Sequence, residues 1–104
     1  MDLIVAMSVA SRAGLFIQRT MSKAEGQDTL WGFKLVDTPY EPTWCKDPGE
    51  ALADLVIRVL KDRRDRQRRH LREVKAVHPH GSLTQTLNNA VRDTGQLLYD
   101  LEVL

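Results

Sequence analysis

A chain of 104 residues that is 42% apolar and 28% charged is long enough for one domain with a modest core, and too apolar to read as disordered. Its net charge of +1 excludes a uniformly basic chain, and its single cysteine, Cys45, excludes an intramolecular disulfide framework and fits a reducing compartment. The apolar start, Met1 to Ala13, places Asp2 where a signal peptide carries positive charge, so neither export nor a membrane span is expected and a cytoplasmic location is.

Leu3 to Ala10 alternates, with Leu3, Val5, Met7 and Val9 on one side, and its β-branched content predicts a strand. Ser11 to Gly14 is turn chemistry, and Leu15 to Thr20 reads as a second strand in a hairpin with the first. Ser22 to Asp28 is polar around Gly26 and reads as a loop. Leu30 to Val36 sets Trp31, Phe33 and Leu35 on one face, which predicts a third strand whose aromatic face a helix covers. Thr38 to Lys46 carries Pro39 and Pro42, which exclude helix or central strand, so it should run extended with Tyr40, Trp44 and Cys45 as anchors.

Asp47 to His78 reads as one long helix. Asp47 caps it, Pro48 suits its first position, and Glu50 meets its positive end. Leu52, Leu55, Val56, Val59 and Leu60 make an apolar stripe that resumes at Leu71, Val74 and Val77. Between them Arg63, Arg66, Gln67 and His70 form a polar waist. Ser82, with Gln85 three residues on, then starts a second helix whose Leu83, Leu87, Ala90, Thr94, Leu97, Leu101 and Leu104 recur at four-three spacing. The short connection makes the two helices an antiparallel hairpin. Pairing Val77 with Leu83 puts Gln67 opposite Asp93, and Arg63 and Arg66 within reach of Asp93, while Gly95 suggests a close helix approach.

The expected architecture is therefore α+β, a single domain over residues 1–104 in the order β-β-β-α-α. A three-stranded antiparallel sheet (1–37) leads through a Pro-rich connection (38–46) to the long helix (47–78) and the C-terminal helix (82–104). At a rise of 1.5 Å per residue the long helix spans about 46 Å, more than twice the reach of such strands, so half of it projects. An unburied seam seeks cover, so either the long helix breaks near Asp62 to Arg66 and folds back or a second subunit completes the bundle; the favoured expectation is a homodimer, with Leu71, Val74, Val77, Leu83, Leu87, Leu97 and Leu101 as the dimer or helix seam.

Charge is unevenly placed. Residues 58–75 hold nine basic and three acidic side chains, so the remainder of the chain is net acidic. Arg58, Lys61, Arg64, Arg68, Arg69, Arg72 and Lys75 form a basic ladder suited to an acidic macromolecular partner, a protein before a nucleic acid. Two further readings compete. The face is self-paired through Asp62 with Arg66, Asp65 with Arg69 and Arg69 with Glu73, or it binds nucleic acid as a regulator. Against nucleic acid stand the interposed Asp65, the lack of stacking aromatics and an isoelectric point near 7.9. Tyr40 and Trp44 are candidate interface aromatics, though anchoring the connection is the commoner role for such residues.

Catalytic motifs are absent. His70, His78, His80 and Cys45 lack the spacing of a zinc site, so no metal and no cofactor is expected. Cys45, beside Lys46 and near a helix N-terminus, is either an activated thiol or a packed one. The expectation is a non-enzymatic protein that works by occupying a partner's surface.

The helix start Asp47, Pro48, Glu50, Ala51 and Leu52, following a short β-meander, resembles that of small phage or prophage proteins, among them anti-CRISPR inhibitors of host defence. It is also similar to the helix start of antitoxin-like ββ-helix proteins. The first resemblance implies a phage- or mobile-element-encoded inhibitor or adaptor, and neither carries a functional residue to a position in this chain.

Overall fold

A computed structural model describes residues 1–103, leaving the predicted seam position Leu104 outside the described residues. The elements are α1 (Leu3–Arg12), β1 (Ile17–Glu25), β2 (Asp28–Leu35), α2 (Pro48–Val77) and α3 (Ser82–Val103). The class is α+β, but the order is α-β-β-α-α. The sheet has two antiparallel strands where three were expected, because the first predicted strand is a helix.

The physical reason lies in Asp2, Ala6 and Ala10. The Asp2 carboxylate accepts the Ile4 N–H at 2.7 Å and caps α1. Ala6, Val9 and Ala10 then fall on one buried helical stripe, flanked by the partly buried Leu3 and Ala13. Alternation and helical spacing coexist in this segment, and the cap with the alanines favours the helix. α1 ends at Gly14, whose φ of 74° lets Gly14 and Leu15 N–H bond back to Ser11 and Ala10 carbonyls at 2.9 and 2.8 Å, a Schellman closure.

β1 occupies the stretch expected to hold a short strand and a loop, and it pairs with β2 from Ile17 opposite Leu35 to Glu25 opposite Asp28, with a bulge at Gln18. Phe33 and Leu35 are buried against α2, as the face pattern of β2 predicts, and Trp31 is half-buried beside them. The Pro-rich connection runs extended, as expected, and touches the sheet through one antiparallel bridge, in which Trp31 and Cys45 exchange both backbone hydrogen bonds at 2.7 and 3.1 Å.

α2 starts and stops within a residue of its predicted bounds. Leu52, Leu55, Val56, Val59 and Leu60 are all buried, and with Leu35 they supply the centre of the core; complete burial of each such side chain contributes about 1.5–3 kcal/mol. Gly49 and Ala53 let the start of the chain at Met1 and the end of α3 at Leu101 close on the first half of α2. At Gly49 a β-carbon would lie 1.9 Å from the Met1 carbonyl oxygen, so only glycine permits this approach.

The helical hairpin of α2 and α3 is antiparallel, as predicted, but α3 is turned on its axis. Its buried face runs Thr84, Leu87, Val91, Thr94, Leu98 and Leu101, with Thr84, Thr94, Leu98 and Leu101 fully buried and Leu87 and Val91 half-buried. Of the predicted seam, Thr94 and Leu101 are buried and Leu71, Val74, Leu87, Ala90 and Leu97 are half-buried. Val77 and Leu83 are exposed at the tip, at 70% and 51% of their surface. The waist is real but differently wired. Thr94 Oγ1 donates to Gln67 Oε1 at 2.9 Å, so Gln67 meets Thr94 instead of Asp93. Asp93 is exposed beside Arg92, while Arg63 turns to the other side of the helix and donates to the Ala13 carbonyl at 2.9 Å. Ser82 is the first residue of α3 instead of its cap, and Thr84 Oγ1 closes the connection on the His78 carbonyl at 2.6 Å. Gly95 faces open space, so close approach does not account for it.

The molecule is elongated, 57 × 25 × 18 Å, with a radius of gyration of 16.2 Å against about 13 Å for a compact chain of this length. Two glycine substitutions test this packing in opposite directions by urea denaturation. Gly49→Ala should destabilise by about 1–3 kcal/mol through its clash with Met1. Gly95→Ala should stabilise by up to about 1 kcal/mol, since its methyl meets nothing and the helix gains propensity.

Candidate interaction surface

The basic ladder divides into residues that are used within the fold and residues that are not. Arg58 donates to the Glu41 carbonyl and to Thr43 Oγ1 at 2.9 Å, and so ties the Pro-rich connection to α2. Lys61 pairs with Glu102 of α3 at 3.3 Å. Arg64 lies half-buried, its Nε enclosed without a hydrogen-bond partner among the described residues. These three stabilise or border the body.

Arg68, Arg69, Arg72 and Lys75 are different. All four are exposed on the half of α2 beyond Leu60, and none forms an ion pair among the described residues. The self-pairing expected from Asp62, Asp65 and Glu73 is likewise not formed there, so the cations face solvent as a cluster about 10 Å long at 1.5 Å rise per residue. Such a cluster attracts anionic surfaces over roughly a Debye length of 8 Å at physiological salt.

The two candidate interface aromatics, Tyr40 and Trp44, both make contacts within the fold. Tyr40 donates its hydroxyl to Asp62 Oδ2 at 2.7 Å, and this bond, with desolvation, holds the phenol above its ordinary pKa. Trp44 lies half-buried against Gly32 on the sheet face turned away from α2, where a glycine β-carbon would stand 3.1 Å from the ring. The Lys23 ammonium covers that ring at 4.5 Å from its centre. Around them Gln18, Arg19, Met21, Lys34, Glu41 and Pro42 line an open groove of about 580 Å³. Sequence reading missed this feature because it ended the strand at Thr20; the alternation of Arg19, Met21 and Lys23 was the available signal.

Cys45 is the packed thiol of the two alternatives. Its Sγ donates to Asp54 Oδ2 at 3.8 Å, and desolvation followed by the charge of Asp54 pushes the thiol pKa up. A raised value lowers the thiolate fraction at neutral pH, and the thiolate is the nucleophile. Among the described residues no three His, Cys, Asp or Glu side chains stand close enough to hold a metal ion. No helix there is long and apolar enough to cross a membrane.

Alkylation of Cys45 by iodoacetamide at pH 7.5 should accordingly run about tenfold slower than that of an unstructured peptide thiol, and Asp54→Asn should speed it by lowering the thiol pKa. A rate equal to the peptide's would contradict this environment.

Comparison with protein-family models, with curated proteins and with solved structures finds no match to this chain, so a functional reading has to rest on the surface itself.

Proposed function

We propose that this protein is a non-enzymatic interaction module that presents the basic face of α2 to an acidic macromolecular partner, a protein surface before a nucleic acid. The observation that carries the reading is the cluster Arg68, Arg69, Arg72 and Lys75, exposed on the projecting half of α2 and without ion pairs among the described residues. Cations needed only for solubility do not require a rigid helix to hold them clear of the body, whereas arginine forks held on such a helix match carboxylate clusters. In this reading the partner is bound in the cytoplasm, and the resemblance of the Asp47–Leu52 helix start supports a phage- or mobile-element-encoded inhibitor or adaptor.

The working unit in this reading is a homodimer. The chain exposes 6634 Å², some 700 Å² above the roughly 5,900 Å² of a compact monomer of its mass, and Val77 and Leu83 lie open at the hairpin tip. Light scattering should return about twice the 11.8 kDa of one chain, and a mass of one chain at micromolar concentration would overturn the dimer.

For the partner, reversal of Arg68, Arg69 and Arg72 to glutamate should abolish capture of the partner from a bacterial host lysate and leave the thermal midpoint within a degree or two, because exposed charges contribute little to stability. Random duplex DNA separates the rival reading: a nucleic-acid regulator binds it with an affinity that falls log-linearly with salt, and the proposed protein binder does not.

A further inference from the structure

β1 is a nine-residue strand that pairs on one side only. β2 has β1 on one edge and the Cys45 bridge on the other, so the outer edge of β1 carries a row of backbone donors and acceptors without partners in the sheet. The register places Arg19, Met21 and Lys23 on the same face as Lys34, Gly32 and Leu30, opposite the core face of Phe33 and Leu35. Pro42 and Trp44 wall this face, and the groove they leave opens beside the strand. Gln18 is the bulged residue, and a bulge at the start of the strand re-aims the neighbouring Arg19.

From this juxtaposition we propose that β1 is the docking edge for an extended acidic peptide, which adds as a third strand with its alternate carboxylates on the face shared by Arg19, Met21 and Lys23, where they meet Arg19 and Lys23 at the rim of the groove. Main-chain bonds supply the affinity in this mode and the pocket beside the edge supplies the selection. Charge fixes the occupant. The outward face near the edge holds Arg19, Lys23 and Lys34 against Glu41, and Arg19 has no ion pair among the described residues. A nucleic acid strand fits less well, because the one aromatic ring in the groove, Trp44, packs beside Gly32 and already has the Lys23 ammonium over its ring, where a base would stack. Edge lysines also serve to repel other strands, and a strand kept solely for repulsion gains nothing from an added peptide.

This surface is separate from the basic cluster of α2, so the two can fail independently. The probe is a labelled peptide about as long as β1, with glutamate alternating with valine and threonine, read by fluorescence anisotropy. Its controls are the same peptide with a central proline, the same peptide with lysine for glutamate, and an oligothymidylate of equal length. The acidic peptide should bind at least about tenfold more tightly than each control. Arg19→Glu with Lys23→Glu should cost at least about tenfold at an unchanged thermal midpoint, and the Arg68, Arg69 and Arg72 reversal should leave peptide affinity as it is. Equal binding of the proline or lysine peptide, preference for the oligothymidylate, indifference to the double reversal, or no binding of the acidic peptide at about 1 mM would each overturn the proposal.

Discussion

Everything in this molecule has to accommodate one unbroken helix of 30 residues, about 45 Å long, in a chain of 104. A body made from one short helix, a two-stranded sheet and the end of α3 covers only the first half of that rod. Hence the buried apolar residues of α2 stop at Leu60, and only polar or half-buried contacts continue beyond it. Ionised side chains cannot be buried cheaply without partners, so the arginines beyond Leu60 sort by what they can reach. Arg63 reaches the open carbonyl at the end of α1, while Arg68, Arg69 and Arg72 reach only solvent.

The same constraint explains the hairpin's middle. Gln67 and Thr94 satisfy each other at the level where the core ends, a neutral hydrogen bond between two amphipathic helices. Above it Leu71 and Val74 remain half-buried, and the tip is closed by Thr84 on the His78 carbonyl. At the other end of α2, Arg58 holds the Glu41–Thr43 segment, which with Trp44 walls the groove beside β1. One helix thereby supports both proposed surfaces, the basic face on its projecting half and the sheet groove through its grip on the connection. α3 and α1 are joined separately, through Arg12 and Asp100 at 2.6 Å; the guanidinium and the Gln96 amide hold that carboxyl below its usual pKa.

α2 was legible because its signals are local: Asp47 caps, Pro48 starts, and the stripe from Leu52 to Leu60 has one period. Leu3 to Val9 fits two periods at once, and choosing between them required weighing Asp2 and the alanines above the β-branched content. α3 likewise carries two overlapping four-three patterns. The leucine-rich one through Leu83, Ala90 and Leu97 was the natural choice, and its Thr94 and Leu101 are buried, yet the structure also buries Thr84 and Leu98 and leaves Leu83 exposed, because a threonine such as Thr84 can bond a neighbouring carbonyl. The candidate site was legible as a set of cations but not as a division among them. Which arginines are free depends on Glu41, Thr43 and Ala13, 15 to 50 positions away, and no local pattern records those distances.

The central claim is that α2 is one continuous helix with two unequal halves, a core-bearing half and a projecting half that serves as a display surface. Native-state hydrogen exchange, at a dilution where the chain is monomeric, tests it most directly. The account predicts that amides from Leu52 to Leu60 exchange only through global unfolding, while those from Arg68 to Ala76 exchange at least about tenfold faster through local opening of the hairpin. Uniform protection from Leu52 through Ala76 would contradict it.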